Sequence, residues 1–341
     1  VPRLPRFTRP RRRVPRAVLV ILAVVALVAV IAVIALVGNL VSTLFQTLAA
    51  RPPAVDTRIV APDESKAAQA AQSAEGSADE QAAAQWLATQ PTTYWLTPEI
   101  DPVDEVWDRI AHLAAEARDQ DAALSVAVYG LPDRDCGNHS AGGLDPDAYR
   151  AWTARIGDAL GNASDVQKIV VLEPDSIALS STCGSPSDRA GYLKDAVDNI
   201  RGINTWIYLD GGHSSWHPVN EMADLIRATG LLPDVRGVAL NVSNYQDTAA
   251  EFAYAHALSD ALGGTHAVID TSRNGAGPAG SEWCNPSDRL VGSPGGSFGD
   301  GVVDTNLWIK PPGESDGECN GGPTAGTWWP SAAAELTREQ R

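Results

Sequence analysis

Hydrophobic positions along the chain fall into one long run and a series of short ones. From Ala17 to Val37 the sequence reads AVLVILAVVALVAVIAVIALV, 21 apolar residues without a charge. At about 1.5 Å per residue a helix over this run spans roughly 30 Å, the thickness of a bilayer's hydrocarbon core. After Trp86 the pattern changes to short β-branched runs: TTYWL (92–96), ALSVAVYGL (123–131), KIVVLE (168–173), TWIYLD (205–210), GVALNVS (237–243), HAVIDTS (266–272) and NLWIK (306–310). These are apolar almost throughout, which predicts strands buried on both faces, as in parallel sheets. Amphipathic stretches such as YLKDAVDNIR separate them. The alternation predicts an α/β protein of seven or eight β/α units closed into a barrel, preceded by one transmembrane helix.

Charge divides the chain further. Residues 1–16 carry seven Arg and no acid, a basic segment expected to stay on the cytoplasmic side of an uncleaved signal anchor at 17–37. A cleavable signal peptide is the alternative, but its apolar region is usually about 7 to 15 residues and ends at a small-x-small site. Residues 38–80 are expected to form a stalk, since from residue 51 to about 85 RPPAVDTRIV is followed by a stretch rich in Ala, Gln, Ser and Glu with few large apolar groups. Residues 81–341 form the main domain, expected outside the cell on a single-pass anchor, or secreted if the anchor is cleaved. That exterior makes Cys136, Cys183, Cys284 and Cys319 disulfide partners, with the pairing open. The net charge of −16 becomes more negative still once the arginines of the first segment are set aside. So acidic a surface excludes nucleic acid as a partner; a monomer is expected.

Polar residues gather where the short runs end. Asp135 and Asp175 stand just beyond the second and third runs, and Asp210 ends the fourth. Asn241, Asp270 and Lys310 sit late in the fifth, sixth and seventh. In β/α barrels these ends share one rim, where chemistry collects. A single such Asp is as readily a helix cap, but so many at corresponding places, with Trp95, Trp216 and Trp283 nearby, point to a cleft. Ten Trp against four Phe strengthens this, since indole faces stack on sugar rings. Carboxyls and indoles in one cleft are the equipment of a glycosidase.

The segments VYGLPDRDCGNHSAGG (128–143), VLEPDSIAL (171–179), YLDGGHSSWH (208–217), GVALNVSNY (237–245), VIDTSRNG (268–275), EWCNP (282–286) and LWIKPPGESDGEC (307–319) occur in the order of a known family. Through them the chain resembles glycoside hydrolase family 6, the inverting β-1,4-glucanases, over about residues 80–335. The resemblance implies a distorted seven-stranded β/α (TIM-like) barrel that hydrolyses cellulose or a related β-glucan with inversion; with the apolar run at 17–37 the expectation is a membrane-anchored endo-β-1,4-glucanase with no cofactor and no metal. It implies that Asp175 is the general acid, that Asp135 raises its pKa and helps organise the water, and that Asp316 is the candidate base. Arg273 and Lys310 match neighbours of that base, and a base acting through a chain of waters involving Asp135 stays open. Tyr129 matches the residue beneath the distorted sugar, and Ser140 and Ala141 lie on a closing loop. Trp95, Trp216 and Trp283 match stacking platforms, and His213, Lys310 and Glu314 match polar contacts; Asp210 and Asn241 are further expected substrate contacts. The implied disulfides are Cys136–Cys183 and Cys284–Cys319. Short connections, notably from Cys284 to Lys310, favour an open cleft and endo action.

Two other functions compete. His213 and His217, four residues apart, suggest a metal-dependent polysaccharide deacetylase, though Gly211, Gly212 and Pro218 oppose a regular helix there. A non-catalytic glycan-binding protein would use the same tryptophans. The Gly-rich SPGGSFGDG (293–301) lacks a phosphate-loop ending, and Ser180–Ser181 lack a nucleophile elbow.

Overall fold

The computed structural model describes residues 16–341 except Ala74, and the chain divides into two compact units at Ala49/Ala50. The basic segment lies, apart from Arg16, outside the described residues. The first unit is helix α1 (Arg16–Ala49), 34 residues long. It runs beyond Val37 because GNLVSTLFQTLA brings neither charge nor proline, and it stops before Pro52 and Pro53. Among the described residues it is the one helix long and apolar enough to cross a membrane, with mean hydropathy 3.0 and none of that stretch buried. Signal sequences share this property.

The second unit is built on seven parallel strands paired in chain order: β1 (Tyr94–Leu96), β2 (Leu124–Val128), β3 (Lys168–Leu172), β4 (Thr205–Asp210), β5 (Gly237–Leu240), β6 (His266–Asp270) and β7 (Val303–Leu307). Period-two alternation sorts their side chains into two cores. Ala127, Ile169, Val171, Tyr208, Ala239, Val268 and Leu307 fill the inside of the curled sheet. Val126, Val170, Leu172, Leu209, Val238 and Ile269 face outward onto the helices. Both faces are dry, which is why the runs are apolar at every position. The connecting helices are α4 (Val106–Asp119), α5 (Pro146–Asn162), α6 (Pro186–Ile200), α7 (Val219–Thr229) and α8 (Thr248–Leu262), preceded by α2 (Lys66–Gln72) and α3 (Ala78–Leu87) and followed by α9 (Pro330–Leu336). Starts are marked by side-chain caps, as at Asp145 with Pro146 in the first turn and in the Ser185–Asp188 capping box.

The barrel is distorted at its seam. Among the described residues β1 and β7 exchange no ladder; instead the Thr93 N–H donates to the Trp308 carbonyl (2.9 Å) and Trp95 Nε1 to that of Ile309 (2.7 Å). The seventh strand also sits earlier than the NLWIK run suggests. It ends at Leu307 because the N–H groups of Ile309 and Lys310 turn to the Asp270 carboxylate (3.1 and 3.0 Å) rather than to a neighbouring strand. Trp308 leaves the sheet to pack on Trp86 and α9.

From Ala50 onward the segment expected to be a stalk is packed on the barrel. Ile59 pairs in parallel with Ala123, and the Val60 N–H donates to the Ala123 carbonyl (3.0 Å). On the other side of the seam the Asp56 N–H donates to the Gly296 carbonyl (2.9 Å), and the Gly296 N–H in turn donates to the Asn306 carbonyl near the end of β7 (2.9 Å). Val60 is fully buried and Ile59 nearly so. Two adjacent β-branched residues thus anchor a strap across the gap between β1 and β7. Replacing Val60 by Asp puts an unpaired carboxyl into this core. It should lower unfolding stability by about 3 kcal/mol or more, read as a fall in the urea midpoint, whereas a free stalk would leave that midpoint unmoved.

Candidate active site

At the C-terminal rim, buried polar side chains continue the sheet's hydrogen bonding past the last ladder pairs. Glu173, directly after β3, accepts from the N–H groups of Gly130 (3.1 Å) and Leu131 (3.0 Å) and from the Tyr149 hydroxyl (2.9 Å). Burial raises its pKa to about 7 against those donors. Asp210 accepts from the Gly212 N–H (2.7 Å) and the Asp175 N–H, and burial raises its pKa to about 6. Asn241 donates to the Asp270 carbonyl (2.8 Å) and accepts from the Gln246 N–H (3.0 Å). Asp210 is 1% exposed and Asn241 fully buried. These two, expected as substrate contacts, are therefore braces of the rim, their polar atoms engaged with the loops that carry the cleft.

Three further carboxyls divide into two electrostatic kinds. Asp175 is half-buried at φ +66°, and its pKa is pushed well up, first by burial and then by the charges of Asp210, Asp135 and Asp316. Asp135 is raised by burial as well, opposed by the Ser140 N–H that donates to it at 2.7 Å. Asp316 goes the other way. Burial would raise it, but Arg273 reaches both of its oxygens (2.9 Å) and Lys310 stands 3.7 Å off, so its carboxyl is held below the usual range. The Tyr245 hydroxyl and the Asn285 N–H, each at 3.0 Å, complete its shell. Tyr129 lies among these acids: its hydroxyl is made less acidic by burial and then by the charges of Asp175 and Asp135.

Tyr129 and Trp95 meet edge to face, with centroids 5.2 Å apart, and Lys310 Nζ lies 5.9 Å over the Trp95 ring. They belong to one cleft of about 830 Å³ that also includes Ser140, Ala141 and Glu314. Trp216 stacks on His217 and neighbours His213 (both 5.7 Å), while Trp283 is half exposed beside His139 (5.7 Å). His213 has its pKa lowered to about 4 by burial and then by His217, so it is neutral near neutral pH. Both ring nitrogens of His217 are engaged, with Glu221 and with the Ala178 carbonyl, each at 3.0 Å, so it could join His213 on a metal only by giving up one of these contacts. The second ligand a deacetylase needs is thus occupied.

Several contributors are not among the candidate residues, one of them inside the 128–143 segment and the others outside every motif. Arg134 lies 4.8 Å over the Tyr129 ring, donates to the Tyr129 and Ser140 carbonyls (both 2.9 Å) and pairs with Glu99 (3.0 Å). Lys66, Gln69 and Trp328 line the same cleft. The sequence neighbourhoods of Lys66, Gln69 and Trp328 are ordinary; the packing of the strap region and the final loop brings these three to the rim. Both disulfides form as the resemblance implied, Cys136–Cys183 and Cys284–Cys319, with Cα separations of 6.1 and 6.2 Å.

Fold and site together define a parallel β/α barrel whose strand ends gather carboxyls and cations beside a cleft that Trp95, Tyr129 and Trp328 line. Residues 54–340 match the family model "Glycosyl hydrolases family 6", and the chain belongs to that family. It is 40% identical over 264 residues to Endoglucanase A of Cellulomonas fimi, covering 75% of this chain and 56% of the relative. It is 39% identical over 260 residues to Endoglucanase 1 of Streptomyces sp. (strain KSM-9), covering 74% and 70%. The chain thus spans little more than half the length of the Cellulomonas relative. Among solved structures it resembles the endoglucanase Cel6 from Mycobacterium tuberculosis, in complex with methyl-cellobiosyl-4-deoxy-4-thio-β-D-cellobioside: TM-score 0.75 and 35% identity, over 83% of this chain and 97% of that one. The catalytic core of the cellobiohydrolase Cel6A from Chaetomium thermophilum gives a TM-score of 0.70 at 26% identity, over 82% and 96%.

The Cys136–Cys183 bridge ties the loop carrying Asp135 to the loop that follows Asp175, across a sequence separation of 47. By the chain-entropy model such a closure contributes about 3 to 4 kcal/mol. Replacing both cysteines by serine should lower the denaturant midpoint accordingly, and added reductant should reproduce the loss in the unaltered protein but not lower the double variant further through this bridge.

Proposed function

We propose that the chain is an inverting endo-β-1,4-glucanase in which Asp175 is the general acid. The observation that carries this is the suppressed acidity of Asp175. A carboxyl kept protonated by burial and by three neighbouring acids can deliver a proton to a leaving glycosidic oxygen near neutral pH. Tyr129 sits under the reacting sugar and Trp95 stacks the next ring, with Lys310 and Glu314 directed at its hydroxyls. Trp216 and Trp283 hold the departing side of the chain, and His213, neutral, offers a hydrogen bond there. The names of the relatives support the activity, and the thio-oligosaccharide in the Mycobacterium structure supports a β-glucan as ligand.

The base is the less direct assignment. Asp316 matches the family's candidate, yet its two cations lower its proton affinity. Asp135, raised by burial against hydrogen bonds from the Ser140 N–H and the Asn138 side chain, is the better-placed acceptor for a proton relayed through water. Helix α1 supports an outward-facing domain, tethered as a single-pass protein or released after cleavage of a signal.

Asp175→Asn removes the donated proton and keeps the shape; activity on unactivated glucan should fall by about three orders of magnitude or more while oligosaccharide binding persists. Asp135→Asn removes a charge that raises Asp175, so the alkaline limb of the pH profile, where the acid ionises, should move to lower pH. Proton NMR in the first minutes of cellohexaose hydrolysis should find the α-anomer as the new end. A β-anomer first would mean a covalent intermediate and retention, and the roles given to Asp175, Asp135 and Asp316 would fail together.

A further inference from the structure

The cleft does not stop at Trp95. One continuous cavity of about 830 Å³ runs from Tyr129 and Ser140, past Trp95 and Lys310, to Glu314, Trp328 and the side chains of α2. That volume is near the upper end of the roughly 300–1,000 Å³ typical of ligand sites. Trp95 offers a face for one sugar ring, so much of the space lies beyond it, on a side that neither Trp216 nor Trp283 lines.

The far part is walled by the strap region and the final loop. Lys66 stands in the first turn of α2, the end where the helix dipole disfavours a cation. Its position is explained by its reach: Nζ donates to Glu314 Oε2 (3.1 Å) and to the Gly326 carbonyl (2.5 Å), joining α2 to the loop after β7. The ammonium side chain stays 31% exposed, leaving a donor free toward the cavity. Opposite, Trp328 lies over Gly313, where a Cβ would come within 2.6 Å of the indole and where φ is +90°. Only glycine lets the ring settle there. Trp328 and Glu314 face each other across an antiparallel bridge, which sets the indole beside the carboxylate. Gln69, its amide nitrogen donating to the Glu64 carbonyl (2.9 Å), has its amide oxygen left as an acceptor.

An indole face ringed by a cation, a carboxylate and an amide is what a pyranose requires: an apolar platform for its C–H face and both donors and acceptors for its equatorial hydroxyls. We propose that Lys66, Gln69 and Trp328, with Glu314 shared between this site and the ring on Trp95, form a further glucan-binding subsite beyond Trp95, which holds the chain of a β-1,4-glucan upstream of the ring stacked on that tryptophan. This rests on the glucanase reading. It assigns α2 a role in recognising chain length, since binding energy gathered remote from the cleaved bond is available to the reacting centre.

The test compares two activated substrates on the full chain. Dinitrophenyl β-cellobioside places two sugars before the cleaved bond and reaches only to Trp95; dinitrophenyl β-cellotetraoside continues into the proposed subsite. The unaltered protein should favour the longer substrate in kcat/KM by about tenfold. Lys66→Ala and, separately, Ala70→Trp, which fills the cavity from the partly exposed lining position 70, should each reduce that preference to about twofold or less. Two substitutions of different kind guard against one that fails to fold. A preference that survives in both variants, or that the unaltered protein lacks, overturns the subsite while leaving the glucanase reading intact. Failure to cleave either substrate overturns the glucanase reading, and the subsite with it.

Discussion

The cleft depends on one kind of interaction, a buried carboxylate that collects backbone N–H groups where parallel strands run out of partners. Asp270 shows it most fully. Its Oδ1 accepts from Ser272 (2.9 Å) and Ile309 (3.1 Å), and its Oδ2 from Ser243 and Lys310 (both 3.0 Å). One side chain thereby ties the ends of β5, β6 and β7 and fixes where Lys310 and Ser243 leave the sheet. Glu173 and Asp210 do the same between β2, β3 and β4. Without them, N–H groups at the top of the barrel would be buried and unpaired, a cost of about 1–3 kcal/mol each. The braces also hold backbone that resists its own conformation. Glu173, Asp175, Asn241 and Ser243 all lie at φ between +50° and +66°, a region costing roughly 1–2 kcal/mol for residues other than glycine, and hydrogen bonds to a charged acceptor are of the size needed to offset it.

Braced this way, the rim can keep acids at close quarters with opposite protonation. Arg273 is 3% exposed, packs 4.3 Å from the centre of the Tyr245 ring and reaches Asp316 at 2.9 Å. A guanidinium so enclosed cannot be screened by solvent, so Asp316 stays charged. That fixed charge is in turn one of the fields, with Asp210 and Asp135, that keep the proton on Asp175. The cation therefore acts on Asp175 through the carboxylate it ionises: the attraction that lowers the proton affinity of Asp316 leaves a charge that raises that of Asp175.

How much of this could be read from the sequence follows from what each residue's pattern reports. The strands were legible because burial on both faces leaves uninterrupted apolar runs, as in KIVVL. The one misplaced strand, β7, was misread because Trp308 and Ile309 look like strand residues while their neighbourhood is organised by Asp270, far away in sequence. The strap leaves little trace in the sequence because only Ile59 and Val60 mark it within a segment of small and polar residues; its structure comes from the edge it finds, not from local propensity. Asp210 and Asn241 stood at the right places for a cleft, but a polar residue ending a strand can turn toward solvent or brace a neighbouring loop, and spacing does not distinguish the two. Asp175, Asp135, Asp316 and the cleft aromatics were legible through motif resemblance. Lys66 and Trp328 were not, because their positions depend on packing between segments separated by as many as 260 residues.

The loop after β2 shows why such packing matters to the acid itself. Asp133, Asp135 and Cys136 have φ of +55°, +59° and +53°, and Gly137 follows at +85°. Left to itself, a segment with so many left-handed residues would relax, carrying the Asp135 charge away from Asp175. It is held from below by the bridge to Cys183, where Arg189 donates to both sulfurs (3.0 and 3.1 Å). From the side Arg134 donates to the Ser140 carbonyl, and from within the Ser140 N–H closes the turn on Asp135. Each restraint comes from a different element, so the loop's shape is over-determined in the way strained functional backbone requires. The distance between two acids is then a property of the scaffold, and a change at Arg189 or Arg134 alters Asp175 through that distance without touching it.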